Sequence, residues 1–206
     1  MNLREELGAI DIYLLDQILR GLVPQSARVL DAGVGRGRNL HYFLRNGYTV
    51  CAVDSDPEAV AGVAEQAAAA GHATGPDHFR TEAIEDLSFD DQSFDLVICN
   101  AVLHFARDLA HFDAMVDQLH RVLKPGGTCF CRLTSNIGVE SLMQPLAADK
   151  TIPAWFLQPD GAQRFLVDLE FLLATNARLG VELVDPIKTV NVQNLRCMTN
   201  WVWRRP

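Results

Sequence analysis

The period of the apolar positions changes repeatedly along the chain, and each change marks an element. Ile10, Leu14, Leu15, Ile18, Leu19 and Leu22 fall on one helical face that Pro24 ends, which predicts an N-terminal helix within residues 1–23. Strand-like and helix-like stretches then alternate. Arg28 to Asp31 is short and apolar and opens into glycines; Leu40 to Arg45 reads as a helix stopped by Asn46-Gly47. Thr49 to Val53 is a second strand, and Pro57 starts an alanine-rich helix that Gly71 ends, with proline and glycine at the expected opposite ends. His78 to Glu82 is a weaker third strand. Phe94 to Cys99 is a fourth, apolar throughout after Asp95, as a strand covered on both faces requires. Phe112 to Leu123 is helical up to Lys124-Pro125-Gly126-Gly127, and Thr128 to Leu133 is a fifth strand. Gln163 to Leu179 reads as one amphipathic helix, with Phe165, Leu169, Leu172 and Leu173 sharing a face and Gly180 closing it. Val181 to Val190 and Asn194 to Trp203 are strands with no helix between them, so they can pair antiparallel.

Repeated strand–helix units imply a doubly wound, mostly parallel sheet with helices on both faces and an antiparallel C-terminal strand, a three-layer α/β/α architecture. The 206 residues suit a single domain, 1–206. Residues 134–160 break the rhythm, with Pro145, Pro153 and Pro159 among apolar Met143, Trp155 and Phe156. Inserted after a strand's carboxyl end, the segment belongs where open α/β sheets bind ligands and is expected to be a substrate-side lid, with an inert excursion as the alternative.

Charge narrows the partners. The chain is 49 % hydrophobic and 21 % charged, with a formal net charge of −8 and no cluster of basic residues, which disfavours nucleic acid. The start of the chain has no basic lead, unbroken apolar run or cleavage site, so it does not read as a signal peptide, and no apolar stretch is long enough to span a bilayer. Cys51, Cys99, Cys129, Cys131 and Cys197 form no CxxC pair; they read as reduced core thiols, and the expected compartment is the cytosol.

The candidate chemistry begins at Val29-Leu30-Asp31-Ala32-Gly33-Val34-Gly35-Arg36-Gly37, a strand running into a glycine loop and a helix. Such a loop brings backbone close to a ligand. Asp31, just before the first glycine, would repel a pyrophosphate but suit a ligand with an ammonium and a sulfonium group. The third glycine of the dinucleotide fingerprint would fall at Arg38, too bulky for that packing, so the dinucleotide reading fails on size and on charge. Asp54, ending the second strand, can accept two hydrogen bonds from the vicinal hydroxyls of a ribose, while Asp56 better suits the N-cap before Pro57.

On four ordered blocks, VLDAGVGRGRN, AVDSDPEAV, EDLSFDDQSFDLVICNAVLHF and LHRVLKPGGTCFCRL, the chain resembles class I S-adenosylmethionine-dependent methyltransferases from Val29 to Leu133. The run GRGRNLHYFLRNGYTVCAVD is most similar to the tellurite-resistance and thiopurine-type small-molecule enzymes. The resemblance implies a Rossmann-like seven-stranded sheet, S-adenosyl-L-methionine as cofactor and methyl transfer by in-line displacement. Asp31, Gly33 and Gly35 would then line the methionine portion, with Asp31 facing its amino group and Arg38 or Asn39 its carboxylate. Asp54 would hold the ribose and Ser55 would lie beside the adenine. The family's adenine-facing acid is Ala83 here, which passes that role to Ile84 backbone and Glu85. Asn100 ends the fourth strand, where a carbonyl approaches the methionine portion.

No catalytic side chain is obligatory for this transfer, because its main demand is alignment. His104, just past the fourth strand, is the candidate base, with packing against the cofactor as the competing role. Tyr13 on the first helix, Arg132 at the end of the fifth strand and Trp155 in the insertion are candidates to face the acceptor. His41, His72, His78, His111 and His120 show no ligand spacing and read as surface or structural. Asn100 is followed by Ala-Val-Leu rather than Pro-Pro-aromatic, and Cys99 has no preceding proline, so two nucleic-acid methyltransferase signatures are absent and a small acceptor is expected. The alternatives are a protein-modifying methyltransferase, a cofactor-binding module without transfer, and a nicotinamide-dependent oxidoreductase.

Overall fold

A computed structural model describes residues 2–146 and 152–206. The helices are α1 (Leu3–Leu7), α2 (Ile12–Leu19), α3 (His41–Arg45), α4 (Pro57–Ala69), α5 (Leu109–Val122) and α6 (Leu169–Leu179). The strands are β1 (Arg28–Ala32), β2 (Thr49–Asp54), β3 (Phe79–Thr81), β4 (Phe94–Asn100), β5 (Leu123–Ser135), β6 (Gln144–Pro145), β7 (Ala154–Leu157), β8 (Gln163–Leu166), β9 (Glu182–Leu183), β10 (Lys188–Val192) and β11 (Arg196–Arg204).

Seven strands run in the order β10-β11-β5-β4-β1-β2-β3, with the two-residue β9 pairing β11 off that line. β1 through β5 pair in parallel, and β11 is antiparallel to β5, β9 and β10. This is the mostly parallel sheet with an antiparallel C-terminal strand that the alternating pattern implies, in the Rossmann-like form that the resemblance implies. The chain winds outward from β1 to β2 and β3 on one side and returns through β4 and β5 on the other. A crevice therefore opens between the carboxyl ends of β1 and β4, where open α/β sheets bind ligands.

Both sheet faces are covered. On one, Leu30, Val97, Cys99, Cys129, Cys131, Trp201 and Trp203 pack against Phe112, Met115, Val116 and Leu119 of α5 and Leu172 of α6. On the other, Val29, Val50, Ile98, Phe130 and Val202 meet Leu14 of α2, Phe43 of α3, and Val60 and Val63 of α4. The five cysteines are free and buried, and Cys129 and Cys131 share a face with their sulfurs 3.6 Å apart.

Two helices differ from the expected ones. The N-terminal periodicity hides a break: Gly8 turns to φ 60°, and Asp11 starts α2 afresh by accepting the Tyr13 backbone N–H at 3.0 Å. Leu19, on the expected buried face, is 77 % exposed. The later helix starts at Leu169, not Gln163, because Asp168 caps it by accepting from the Phe171 N–H at 2.8 Å. Phe165 and Leu166 instead lie in β8, the third strand of a small antiparallel sheet in the order β6-β7-β8. The 134–160 insertion is thus partly ordered as that sheet, and its residues 147–151 lie outside the described ones. Among the described residues no helix is long and apolar enough to cross a membrane.

Candidate functional site

A cavity of about 510 Å³ opens at the crevice, lined at its base by Gly33, Asp54, Ser55, Ala83, Ile84 and Glu85 and across the mouth by Ala101, Val102 and Phe105. Gly33 holds φ 81°, and a Cβ there would stand 2.4 Å from Val102 Cγ2. That position accepts no side chain on either ground. Ala101 holds φ 66° without being glycine, a costly backbone state of the kind that collects at working sites.

Asp31, the penultimate residue of β1, is 1 % exposed, and its Oδ2 has no hydrogen-bond partner. Burial pushes this carboxyl up to about 8; Arg38 pulls against that rise and Asp54 adds to it. A cation placed at Oδ2 would satisfy the orphaned oxygen and restore its charge. Asp54 organises the loop: Gly35 donates its N–H to Oδ2 at 2.8 Å, and Asp56 donates to Oδ1 at 3.0 Å. Each oxygen keeps a further lone pair. Asp56 is the N-cap of α4, accepting from Glu58 N–H at 2.9 Å.

The glycine loop is tied to the N-terminal helices through one carboxylate. Asp11 Oδ2 accepts from Arg132 Nη1 at 2.6 Å and from Arg38 Nη2 at 3.4 Å, and its own N–H donates to Asn39 Oδ1 at 3.1 Å. Arg38 Nη2 also donates to Asn100 Oδ1 at 3.0 Å. Burial opposes the ionisation of Asp11, but hydrogen bonding through Asn100 and the Arg132 charge outweigh it and hold the carboxyl below its usual range.

At the opposite rim, Arg107 donates its backbone N–H to His111 Nδ1 at 3.0 Å, which leaves the proton on Nε2, 2.9 Å from Glu85 Oε1. The Arg107 side chain lies 3.4 Å from the same oxygen. Burial works against the Glu85 carboxylate, but backbone N–H, His111 and Arg107 hold it below its usual range. Trp155 on β7 donates its indole N–H to Arg107 O at 3.0 Å, so the small sheet reaches this rim.

The structure thus lines one crevice with Gly33, Asp54, Ser55, Ile84 and Glu85, while Gly35 is bonded to Asp54 and Asp31 lies buried before the glycine loop, neither of them lining the cavity. Arg38, Asn39, Asn100, Arg132 and Tyr13 form a second cluster beside it, on the α2 side. His104 stands apart from both, and Trp155 reaches only the rim of the crevice, through the Arg107 carbonyl. His104 is 4 % exposed, and its Nδ1 accepts the Thr134 N–H at 3.3 Å. Burial, with Arg164 nearby, lowers its pKa to about 4. Sequence reasoning missed Asp11, Arg107 and His111. Asp11 and Asp108 carried a legible signal, since each precedes a helical run and caps it.

The chain is similar to known proteins in sequence and in fold. A family model described as a methyltransferase domain matches residues 30–131. The ubiquinone biosynthesis O-methyltransferase of Xylella fastidiosa (strain 9a5c) is 33 % identical over 128 residues, 62 % of this chain and 50 % of that protein. The chain spans about half the length of that curated relative. Among solved structures, a SAM-dependent methyltransferase from Methanosarcina mazei aligns with TM-score 0.71 at 19 % identity, covering 91 % of this chain and 96 % of that one. The 1,6-didemethyltoxoflavin-N1-methyltransferase of Burkholderia thailandensis, solved with 1,6-didemethyltoxoflavin and S-adenosylhomocysteine bound, aligns with TM-score 0.67 at 20 % identity over 99 % of this chain and 81 % of that one.

Proposed function

We propose that the protein binds S-adenosyl-L-methionine in the β1/β4 crevice and transfers its methyl group to a small molecule. The observation that carries the reading is the buried Asp31 carboxyl, its Oδ2 without a partner, two residues before the Gly33 that lines the cavity, because an amino-acid ammonium reaching it would give that oxygen a partner and restore its charge. The family match over residues 30–131 supports it.

In this reading Asp31 holds the amino group and Arg38, on the side of Asn39, the carboxylate. Asp54 receives the ribose hydroxyls on its free lone pairs. Ser55, Ile84 and Glu85 bound the adenine, and Gly33, Gly35 and the Asn100 carbonyl approach the methionine portion. Bound there, the sulfonium supplies an already activated methyl group. The residues contribute alignment and exclusion of water, which can lower a barrier by up to ~7–11 kcal/mol. His104 has its accepting nitrogen taken by Thr134 and its proton on Nε2, so we assign it as a neutral hydrogen-bond donor rather than a base.

The curated relative named above is an O-methyltransferase, which favours oxygen as the acceptor atom. The run GRGRNLHYFLRNGYTVCAVD supports a place beside the tellurite-resistance and thiopurine-type enzymes. The net charge of −8 favours a small acceptor over nucleic acid, and five buried free thiols suit the cytosol.

Calorimetric titration with S-adenosylmethionine, S-adenosylhomocysteine and NADH tests the cofactor. The first two bind and NADH does not, and Asp54→Ala weakens binding by ~1.5–3 kcal/mol through lost charged hydrogen bonds. An unchanged dissociation constant in Asp54→Ala removes that residue from the site, and NADH binding alone overturns the reading. A metabolite extract supplied with the cofactor then reports methylated products by mass shift.

A further inference from the structure

The base of the large cavity is acidic, with Asp54, Glu82 and Glu85 in its lining, and its mouth is not. Phe105 lies across the mouth and is 52 % exposed. An arginine from the small sheet stands over it: the Arg164 guanidinium, on β8, lies 4.8 Å from the centroid of the Phe105 ring. A lone exposed phenylalanine means little, but this one lines a cavity and carries a cation on its face.

Arg164 has no acidic partner. Among the described residues no carboxylate oxygen lies within 4.0 Å of its guanidinium, whereas Arg107, which lines the same cavity, is 3.4 Å from Glu85. Arg164 Nη1 donates to the Gln163 carbonyl at 2.7 Å, which leaves donors open on Nε and Nη2. The charge is felt next door. The His104 ring lies 4.6 Å from that of Phe105, and burial together with Arg164 lowers its pKa to about 4. His104 is therefore neutral, and Arg164 is the cation that faces a molecule seated on Phe105. On a chain of net charge −8, such a cation at a cavity mouth draws anions locally.

We infer that Arg164 and Phe105 recognise the methyl acceptor, which is a small organic acid: its apolar or planar body lies against the Phe105 ring and its carboxylate on the Arg164 guanidinium. The inference rests on the methyl-transfer reading and names its substrate class. A guanidinium fork matches a carboxylate in shape as well as charge. The acids at the cavity base repel the same group, so the acceptor enters with its anion outward and its other end toward the methyl donor. No rearrangement is required, because the cavity of about 510 Å³ already opens at Phe105. The small sheet is fastened to this rim by the bond from the Trp155 indole to the Arg107 carbonyl, which keeps β8 beside the mouth. A neutral analogue would forgo the charged pair, and a site built around one discriminates strongly against such analogues.

The test titrates benzoate, its neutral isostere benzamide, and benzylamine into the protein by ligand-observed NMR, with and without S-adenosylhomocysteine. Benzoate binds at least about tenfold more tightly than either of the others. Arg164→Gln abolishes that preference, Arg164→Lys keeps part of it, and S-adenosylhomocysteine affinity in both variants stays within about twofold of the unmodified protein. In the metabolite-extract assay the methylated product keeps its anion and is retained by an anion exchanger, and Arg164→Gln raises KM with kcat little changed. Equal affinity for benzoate and benzamide, a preference that survives in Arg164→Gln, or a product that the exchanger does not retain would each overturn the inference and leave Arg164 a cation stacked on a surface ring. Failure of S-adenosylhomocysteine to bind the unmodified protein would instead sink the cofactor reading, since the benzoate arm without it reads the Arg164 site alone.

Discussion

The two sides of the crevice are built in opposite ways. On the glycine-loop side, β1, β2 and their loops use backbone: glycines at positive φ, N–H groups aimed at Asp54, and an open cavity of about 510 Å³. On the α2 side, β4, β5 and β11 use side chains, and a single carboxylate, Asp11, ties two arginines, an asparagine and a helix cap together over a nearly filled space. Backbone sites constrain local sequence tightly and serve one shared ligand. Side-chain clusters leave it free to vary.

Substitutions that strike each side should therefore differ in kind. The largest effect is expected at Gly33→Ala, where a Cβ meets Val102 Cγ2 and a positive φ at once. Cofactor affinity should fall at least a hundredfold, and adding Val102→Ala should restore only part of it, since the backbone strain remains; calorimetry on both variants checks this. Next comes Asp11→Ala, which leaves Arg132 and Arg38 without their shared carboxylate. Stability should drop by about 2–4 kcal/mol, short of a fully buried pair because Arg38 is half exposed, with a larger loss of hydrogen-exchange protection in α2 than in α4.

Asp31→Asn should act with opposite signs on stability and binding. The folded carboxyl, raised from 3.8 to about 8, keeps a proton that the unfolded chain loses, so stability from this group is fullest below about pH 4 and declines as pH rises toward 8. Removing the charge should raise the melting temperature of the ligand-free protein at pH 8 by a few degrees, on the order of 1–2 kcal/mol, while cofactor affinity falls at least tenfold. Thermal melts at pH 5 and pH 8 should show a larger stabilisation at the higher pH, since the loss begins above about pH 4 and grows toward 8. The smallest effect is expected at Leu19→Ser, within about 0.5 kcal/mol, because that side chain faces solvent; a denaturant melt measures it.

The contrast between the two sides also explains what could be read in the sequence. The strands β1 to β5 and the placement of Asp31, Gly33 and Asp54 follow from apolar runs that end in glycine or aspartate, where local chemistry dictates local structure. The break at Gly8–Asp11 was hidden because the apolar period continues across it, and only the aspartate cap reveals the restart. The stretch from Gln163 had helical spacing, yet pairing with β7 drew Phe165 and Leu166 into a strand. Tertiary contact overrode periodicity there. The polar cluster under α2 was invisible for a related reason: Asn100 and Arg132 meet only through β-sheet register, and their separation along the chain carries no pattern.

The central claim is that Asp31 awaits a cation. It is tested most directly by titrating S-adenosylmethionine at pH 7 in two buffers of different ionisation enthalpy, which counts the protons exchanged on binding. The account predicts release of close to one proton in the unmodified protein, as the ammonium ionises Asp31, and none in Asp31→Asn. Binding without proton release, or equal release from both proteins, would contradict it.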